Sequence, residues 1–171
     1  MIIRPEKKSD YSAIYEVNKL AFNGENESKL VQTLRKSENF NEKLSIIAIK
    51  DEKIVGYILF TPITIENKGN SFPALALAPL AVHPEFQNQG IGSLLVNHGL
   101  EKCNGLNYGI IIVIGHPNYY PRFGFVPAGS KGLKVPFEVP EEVFLVKENI
   151  SGALDGVEGT VKYPQAFLDL I

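Results

Sequence analysis

Two unbroken apolar runs constrain this chain more than any other feature: Ala74-Leu75-Ala76-Leu77-Ala78-Pro79-Leu80-Ala81-Val82 and Ile110-Ile111-Ile112-Val113-Ile114. A strand with one face in water alternates apolar and polar residues, so a run that is apolar at almost every position reads as a strand covered on both faces. Both runs are too short for a membrane helix, which needs ~20 residues. Between them Ile91, Leu94, Leu95 and His98 recur at helical spacing, within a helix expected from about Gln89 to Cys103. A strand, a crossover helix and a second strand of these lengths return the second strand parallel to the first. Pro79 has no N–H for a sheet ladder, and so marks a bulge or an unpaired edge near the end of the first run.

The remaining segments can be laid around this unit. Ile2-Ile3-Arg4 reads as a first strand, and Ser9 or Asp10 can cap a helix running to about Phe22, with Ile14, Val17, Leu20 and Ala21 on one face. A second helix fits Glu25 to Ser37, with Leu30, Val31 and Leu34 as its stripe and Glu25 and Glu27 in the dipole-favoured first turn. The β-rich segments Leu44 to Lys50 and Ile54 to Ile65 flank a short polar connection and read as a hairpin, followed by a turn at Asn67-Lys68-Gly69-Asn70. Beyond Ser130 glycine and proline are frequent, yet Leu133, Val135, Phe137, Phe144 and Phe167 imply packed loops and strands. With no repeat and no linker, the 171 residues are expected to form one domain: a motif-bearing core over 1–126, completed by 127–171.

Composition removes several kinds of partner and cofactor from consideration. Seventeen basic and nineteen acidic residues give a net charge of −2, which supplies no field to gather nucleic acid. The one cysteine, Cys103, cannot form an internal disulfide, and three histidines without ligand spacing give no reason to expect a metal. The N-terminus Met1-Ile2-Ile3-Arg4-Pro5-Glu6 turns polar at once, so no export signal or membrane partner is expected and a cytoplasmic location is. Cys103 also has no adjacent histidine, which makes it a poor nucleophile.

The chemistry concentrates in Leu80-Ala81-Val82-His83-Pro84-Glu85-Phe86-Gln87-Asn88-Gln89-Gly90-Ile91-Gly92-Ser93. Its glycines fall where a buried strand turns into a helix, where unpaired N–H groups and the helix dipole can surround an anion. The three-glycine dinucleotide fingerprint is absent, since Leu95 occupies the third place. Gln87-Asn88-Gln89-Gly90-Ile91-Gly92 resembles the Gln/Arg-x-x-Gly-x-Gly/Ala signature of the GNAT acetyltransferases, and the Leu-Ala-Val-His-Pro before it is typical of that superfamily. After the next strand, Tyr120-Pro121-Arg122-Phe123-Gly124-Phe125 resembles the family's Tyr-x-x-x-Gly-Phe. The longer string from Gly115 to Phe125 is similar to a bacterial-type subgroup of uncharacterised predicted acetyltransferases, and the resemblance runs from the first strand to about Val126.

The resemblance implies an α/β fold: a mixed, mostly antiparallel sheet with a central splayed parallel pair and helices on both faces. It implies acetyl-CoA as cosubstrate, its pyrophosphate on the amides of Gln87, Asn88, Gln89, Gly90, Ile91, Gly92 and Ser93, and its pantetheine arm along Leu80, Ala81 and Val82. Asn118, Tyr119 and Arg122 are expected on the cofactor side, Arg122 either at a phosphate or in a surface ion pair. Tyr120 is implied as the proton donor to the leaving thiolate; a phenol of pKa ≈ 10 is neutral at pH 7 and can hydrogen-bond or protonate sulfur. The general base is open. The strand Ala74 to Val82 holds no titratable residue. Glu27 and His116 are the candidates, against ordinary roles as a helix-start carboxylate and a loop residue. The expected reaction is direct acetyl transfer to a primary amine, on a small molecule or a peptide. The alternatives are a non-catalytic CoA-binding sensor and transfer of a longer acyl group. Phe137, Phe144 and Phe167 suggest a homodimer face.

Overall fold

A computed structural model describes residues 1–170. β1 (Ile2–Pro5) leads through a 3-10 turn to α1 (Tyr11–Phe22) and α2 (Asn26–Arg35). β2 (Ser45–Lys50), β3 (Lys53–Asn67) and β4 (Asn70–Val82) follow as a meander, then α3 (Ile91–Gly105) and β5 (Ile110–Ile114). The last third contributes β6 (Val126–Pro127), β7 (Leu133–Lys134), β8 (Phe144–Glu148), β9 (Gly159–Lys162) and α4 (Gln165–Leu168). These nine strands form one sheet in the order β1-β2-β3-β4-β5-β8-β6, with β9 pairing to the far end of β3 and β7 to β9. Most neighbours are antiparallel, while β4 and β5 are parallel, as the crossover requires. The short β7–β9 pair is also parallel, which the sequence reading does not anticipate.

Helices on both faces account for the unbroken apolar runs. Leu75, Leu77, Ile111 and Val113 point into a core under α3, together with Ile58, Phe60, Leu95 and Cys103. Their neighbours Ala74, Ala76, Ile110 and Ile112 point the other way, into a core closed by Phe144, Val161 and Tyr163. Further along that second face, Ile14, Leu30, Val31 and Leu34 of α1 and α2 cover Ile47, Tyr57 and Leu59. Each fully buried Leu or Ile contributes about 1.5–3 kcal/mol of transfer free energy. The close approach of α3 depends on Gly99, because a Cβ there would overlap the Phe60 ring. Leu20 and Leu94 depart from expectation and stand 41% and 47% exposed. The stripe of α3 is instead Ile91, Leu95, Val96, Gly99, Leu100 and Cys103, at i, i+4, i+5, i+8, i+9 and i+12.

Two polar clamps fasten the helices to the first strands. Asp10 stands at the N-cap of α1, but its carboxylate turns back to accept from the Lys7 N–H (2.7 Å) and from Arg4 Nη1 (2.8 Å). The Arg4 guanidinium and these hydrogen bonds hold the Asp10 carboxyl below the usual carboxylate range. Arg35 of α2 donates twice to Glu6 (2.9 Å each), and Ser45 Oγ donates to Glu6 Oε1 (2.6 Å). Breaking one side of such a buried pair strands the other charge, so the clamp holds α2 against β1 and β2.

The parallel pair opens almost at once. Pairing is confined to Leu75–Ile111 and Ala76–Ile112, although β4 runs on to Val82 and β5 to Ile114. The cause lies on the other edge of β4: Leu80 pairs Ile58 and Leu77 pairs Phe60, so Ala78 and Pro79 together stand opposite Leu59. Two residues against one is a bulge, and it bends β4 away from β5. Pro79 accordingly sits in a bulge, the first of the two positions its sequence context allows.

Candidate functional site

α3 begins at the mouth of that opening. Gly90 is its N-cap, with φ +83°, a left-handed conformation that L side chains rarely adopt. Asn88 also lies at positive φ (63°), and together they swing the chain from β4 into the helix. Among the described residues, no backbone N–H from Gln87 to Ser93 finds an acceptor; the first helical bond is Leu94 N–H to Gly90 O, 3.1 Å. Unpaired amides at the positive end of a 15-residue helix suit an anion. A Cβ at Gly90 would meet nothing within 4 Å, so the space beside it is open. Gly92 is crowded instead: a Cβ there would come 2.7 Å from the Tyr119 hydroxyl. The Gln87 side chain donates to Val82 O (3.1 Å) and pins the loop to the end of β4.

A cleft of about 770 Å³ occupies the gap between β4 and β5 and continues to the loop before α3. Leu80, Val82, Gln87, Asn88, Gly90, Ile91, Gly92 and Ser93 line one part of it, with Tyr119 and Arg122. Ala81, Gln89 and Asn118 do not. Ala81 alternates onto the opposite face of β4 and is 1% exposed. Gln89 turns outward to accept from Lys50 Nζ (2.8 Å), and the Asn118 N–H is spent on His116 Nδ1 (3.1 Å). Arg122 forms no ion pair among the described residues: its guanidinium lies 4.4 Å from the Tyr119 ring centroid and its Nε donates to Tyr119 O (3.2 Å).

The three catalytic candidates line the same cleft. Tyr120 opens a 3-10 turn that ends at Gly124, whose φ of +94° releases the chain toward β6. Its ring packs edge-on to Tyr119 and Phe125 and lies against Gly115, where a Cβ would overlap it. Only 8% exposed, the phenol is pushed well above its ordinary pKa by burial and the neighbouring Tyr119, so it is neutral at pH 7. Glu27, in the first turn of α2, is half-buried in the lining of the cleft. His116 is exposed, and its Nδ1 accepts from Asn118. A neutral imidazole in that bond carries its proton on Nε2, so its lone pair is already engaged.

Several lining residues have no local signal in the sequence. Phe22, Leu30, Phe86, Phe167 and Leu170 reach the cleft from positions far apart in the chain. Their types report burial only, and the tertiary fold brings them together. Lys50 is similar: it lies 39 residues from Gln89 yet holds a cation beside the α3 loop. No helix of the described residues is long and apolar enough to cross a membrane, and no group of three or more His, Cys, Asp or Glu among them is placed to hold a metal.

Comparison with known proteins places this geometry among relatives. A family model described as an acetyltransferase (GNAT) domain matches residues 2–128. The chain is 43% identical over 136 residues to the uncharacterised N-acetyltransferase YjhQ of Escherichia coli K12, covering 79% of this chain and 75% of the relative. It is 33% identical over 168 residues to the uncharacterised N-acetyltransferase YhbS of the same strain, covering 98% of both. The crystal structure of the Escherichia coli GNAT-family N-acetyltransferase YhbS in complex with CoA superposes with a TM-score of 0.91 at 32% identity, over 98% of this chain and 91% of that one. A Brucella melitensis GNAT-family acetyltransferase in complex with acetyl-CoA gives 0.77 at 27% identity, over 97% of each chain.

Proposed function

Because this chain belongs to the GNAT acetyltransferase family, we propose that it moves an acetyl group from acetyl-CoA directly to a primary amine. The chain is an acyl-CoA N-acyltransferase by family and fold. The cosubstrate, the direct transfer and the roles of individual residues are the proposal. One observation carries it: the unpaired amides of Gln87, Asn88 and residues 90–93 and the neutral Tyr120 phenol belong to the lining of one cleft. The phosphate-binding end and the acid end of the reaction are therefore joined. Relatives bound to CoA and acetyl-CoA support the choice of ligand.

In this reading the amides of Gln87 to Ser93 hold the pyrophosphate at the positive end of α3. The outer edge of β4 from Leu77 onward, which no strand covers, takes the amides of the pantetheine arm as an added strand would. Acetyl-CoA supplies an activated thioester carbonyl. Glu27 takes the proton from the amine, because it lines the cleft while the His116 lone pair is engaged. Tyr120 donates a hydrogen bond to sulfur as negative charge develops there. With its pKa raised above the ordinary ≈ 10, the phenol stabilises the thiolate mainly by that hydrogen bond, since complete proton loss is uphill. Work in the cytoplasm on a small-molecule or peptide amine belongs to the same proposal.

The test is calorimetric titration of acetyl-CoA followed by thiol release with a panel of primary amines. Binding together with amine-dependent release and an acetylated product is the expected result. Tight binding without turnover on any amine would leave a CoA-binding sensor instead.

A further inference from the structure

The end of the cleft away from α3 has a composition of its own. Phe22 from the end of α1, Leu30 from α2, Pro79 from the β4 bulge, and Phe167 and Leu170 from the C-terminal segment form its walls. Phe22, Ile114 and Leu170 are 39%, 39% and 41% exposed and all face this cleft. Large exposed apolar side chains gathered on one concave surface mark a binding site, whereas singly scattered ones mean nothing. Among the described residues one carboxylate, Glu27, stands with them. No lysine among the described residues lines the cleft, and its arginine, Arg122, is stacked on Tyr119, whose hydroxyl lies at Gly92 and therefore at the α3 end.

From this arrangement, and resting on the transfer reading above, we infer that the acceptor is a small monoamine carried on an apolar body about the size of an aromatic ring. One ammonium matches one carboxylate, and the two phenylalanines and two leucines match the body that follows it. A polyamine would bring a second cation into an apolar wall that offers, among the described residues, no second acidic side chain, at the cost of its hydration. A peptide would bring an N–H and a C=O with every residue. The walls offer few partners for them: Pro79 has no N–H, and the Phe22, Leu30, Phe167 and Leu170 side chains have no polar atom. The volume agrees, since a cleft of about 770 Å³ that must also take the pantetheine arm leaves room for a small acceptor.

The test compares 2-phenylethylamine, n-propylamine, spermidine and a polar hexapeptide with a free N-terminus, each with saturating acetyl-CoA, by thiol release and mass of the product. Phenylethylamine is expected to exceed n-propylamine in kcat/KM by about tenfold or more, the scale of hydrophobic-pocket discrimination, with spermidine and the peptide lower still. Phe22→Ala should reduce kcat/KM for phenylethylamine about fivefold more than for n-propylamine, through KM, and Phe22→Leu should recover most of that preference. A merely structural role would lower both amines together, and that result overturns the inference. Preference for spermidine or the peptide overturns it too while leaving acetyl transfer standing. Acetyl-CoA that binds but is turned over with no amine overturns the transfer reading and this inference with it.

Discussion

Tyr120 is held by its ring, against Gly115, Tyr119 and Phe125, so replacing only its oxygen tests chemistry with little effect on packing. Tyr120→Phe is expected to lower kcat by ~10²-fold, the usual scale for losing one positioned hydrogen-bond donor to a developing anion, with acetyl-CoA affinity and melting temperature nearly unchanged. Wild-type turnover under conditions where chemistry limits the rate would make the residue structural. Tyr119→Phe should be milder, since that hydroxyl lies against Gly92 at the start of α3. Asp10 allows a test of stability instead. Its carboxyl titrates below the ordinary value of about 3.9, so its stabilisation is complete above that pH and disappears as pH falls through the native value. Asp10→Asn should therefore cost on the order of 1 kcal/mol at pH 7, with the difference from wild type shrinking below about pH 4. Denaturant midpoints at several pH values measure it, and a difference that stays constant into acid would remove the Arg4 pairing from the account. Cys103 is fully buried, and its thiol is pushed up to about 12 by that burial. An aromatic disulfide reagent should find no reactive thiol in the native protein at neutral pH and one after denaturation.

α3 uses its glycines for two separate purposes. Near its start, Gly92 keeps a side chain out of the space shared by Tyr119 and the free amides. Gly92→Glu puts a carboxylate where an anion is expected to sit, and should weaken acetyl-CoA by ~10-fold or more in a protein that still folds. Unchanged affinity in the folded variant would detach the motif from ligand binding. In the middle of the same helix, Gly99 admits the Phe60 ring. Gly99→Ala should cost about 1–3 kcal/mol by overpacking, read as a lower denaturation midpoint, without a specific loss of ligand affinity. A sequence reading sees glycines in a helix but not what each one faces. The Gly90-Ile91-Gly92 spacing signals free backbone amides because those at a helix start are a local property. Gly99 carries no such signal, because Phe60 reaches it from β3, a distant part of the chain.

If the splayed sheet is the ligand's scaffold, ligand and fold must be thermodynamically linked. At about 100 times its Kd, a ligand that binds only the native state adds about 2.7 kcal/mol. For a chain of this length that amounts to a rise in melting temperature of about 5–11 °C with acetyl-CoA. An unshifted transition at saturating acetyl-CoA would contradict the proposed binding mode. The proposed dimer face has less to rest on. Phe144 is 5% exposed within the chain's own core, Phe137 and Phe167 pack against Tyr163, and Phe167 also lines the cleft. Those three phenylalanines are engaged at home, and nothing in their type or spacing distinguishes a core from an interface. The doubly covered strands, the crossover helix between them, the motif at Gln87 to Gly92 and Tyr120 before Gly124-Phe125 are readable from residue order alone, because pattern and backbone conformation are set within a few residues. The choice of bulge over edge at Pro79, the outward turn of Gln89 to Lys50, the engaged lone pair of His116 and the apolar wall from Phe22 to Leu170 follow from contacts between distant segments. Such contacts depend on the packed sheet, which exists only once burial has drawn those segments together against the entropy of the chain.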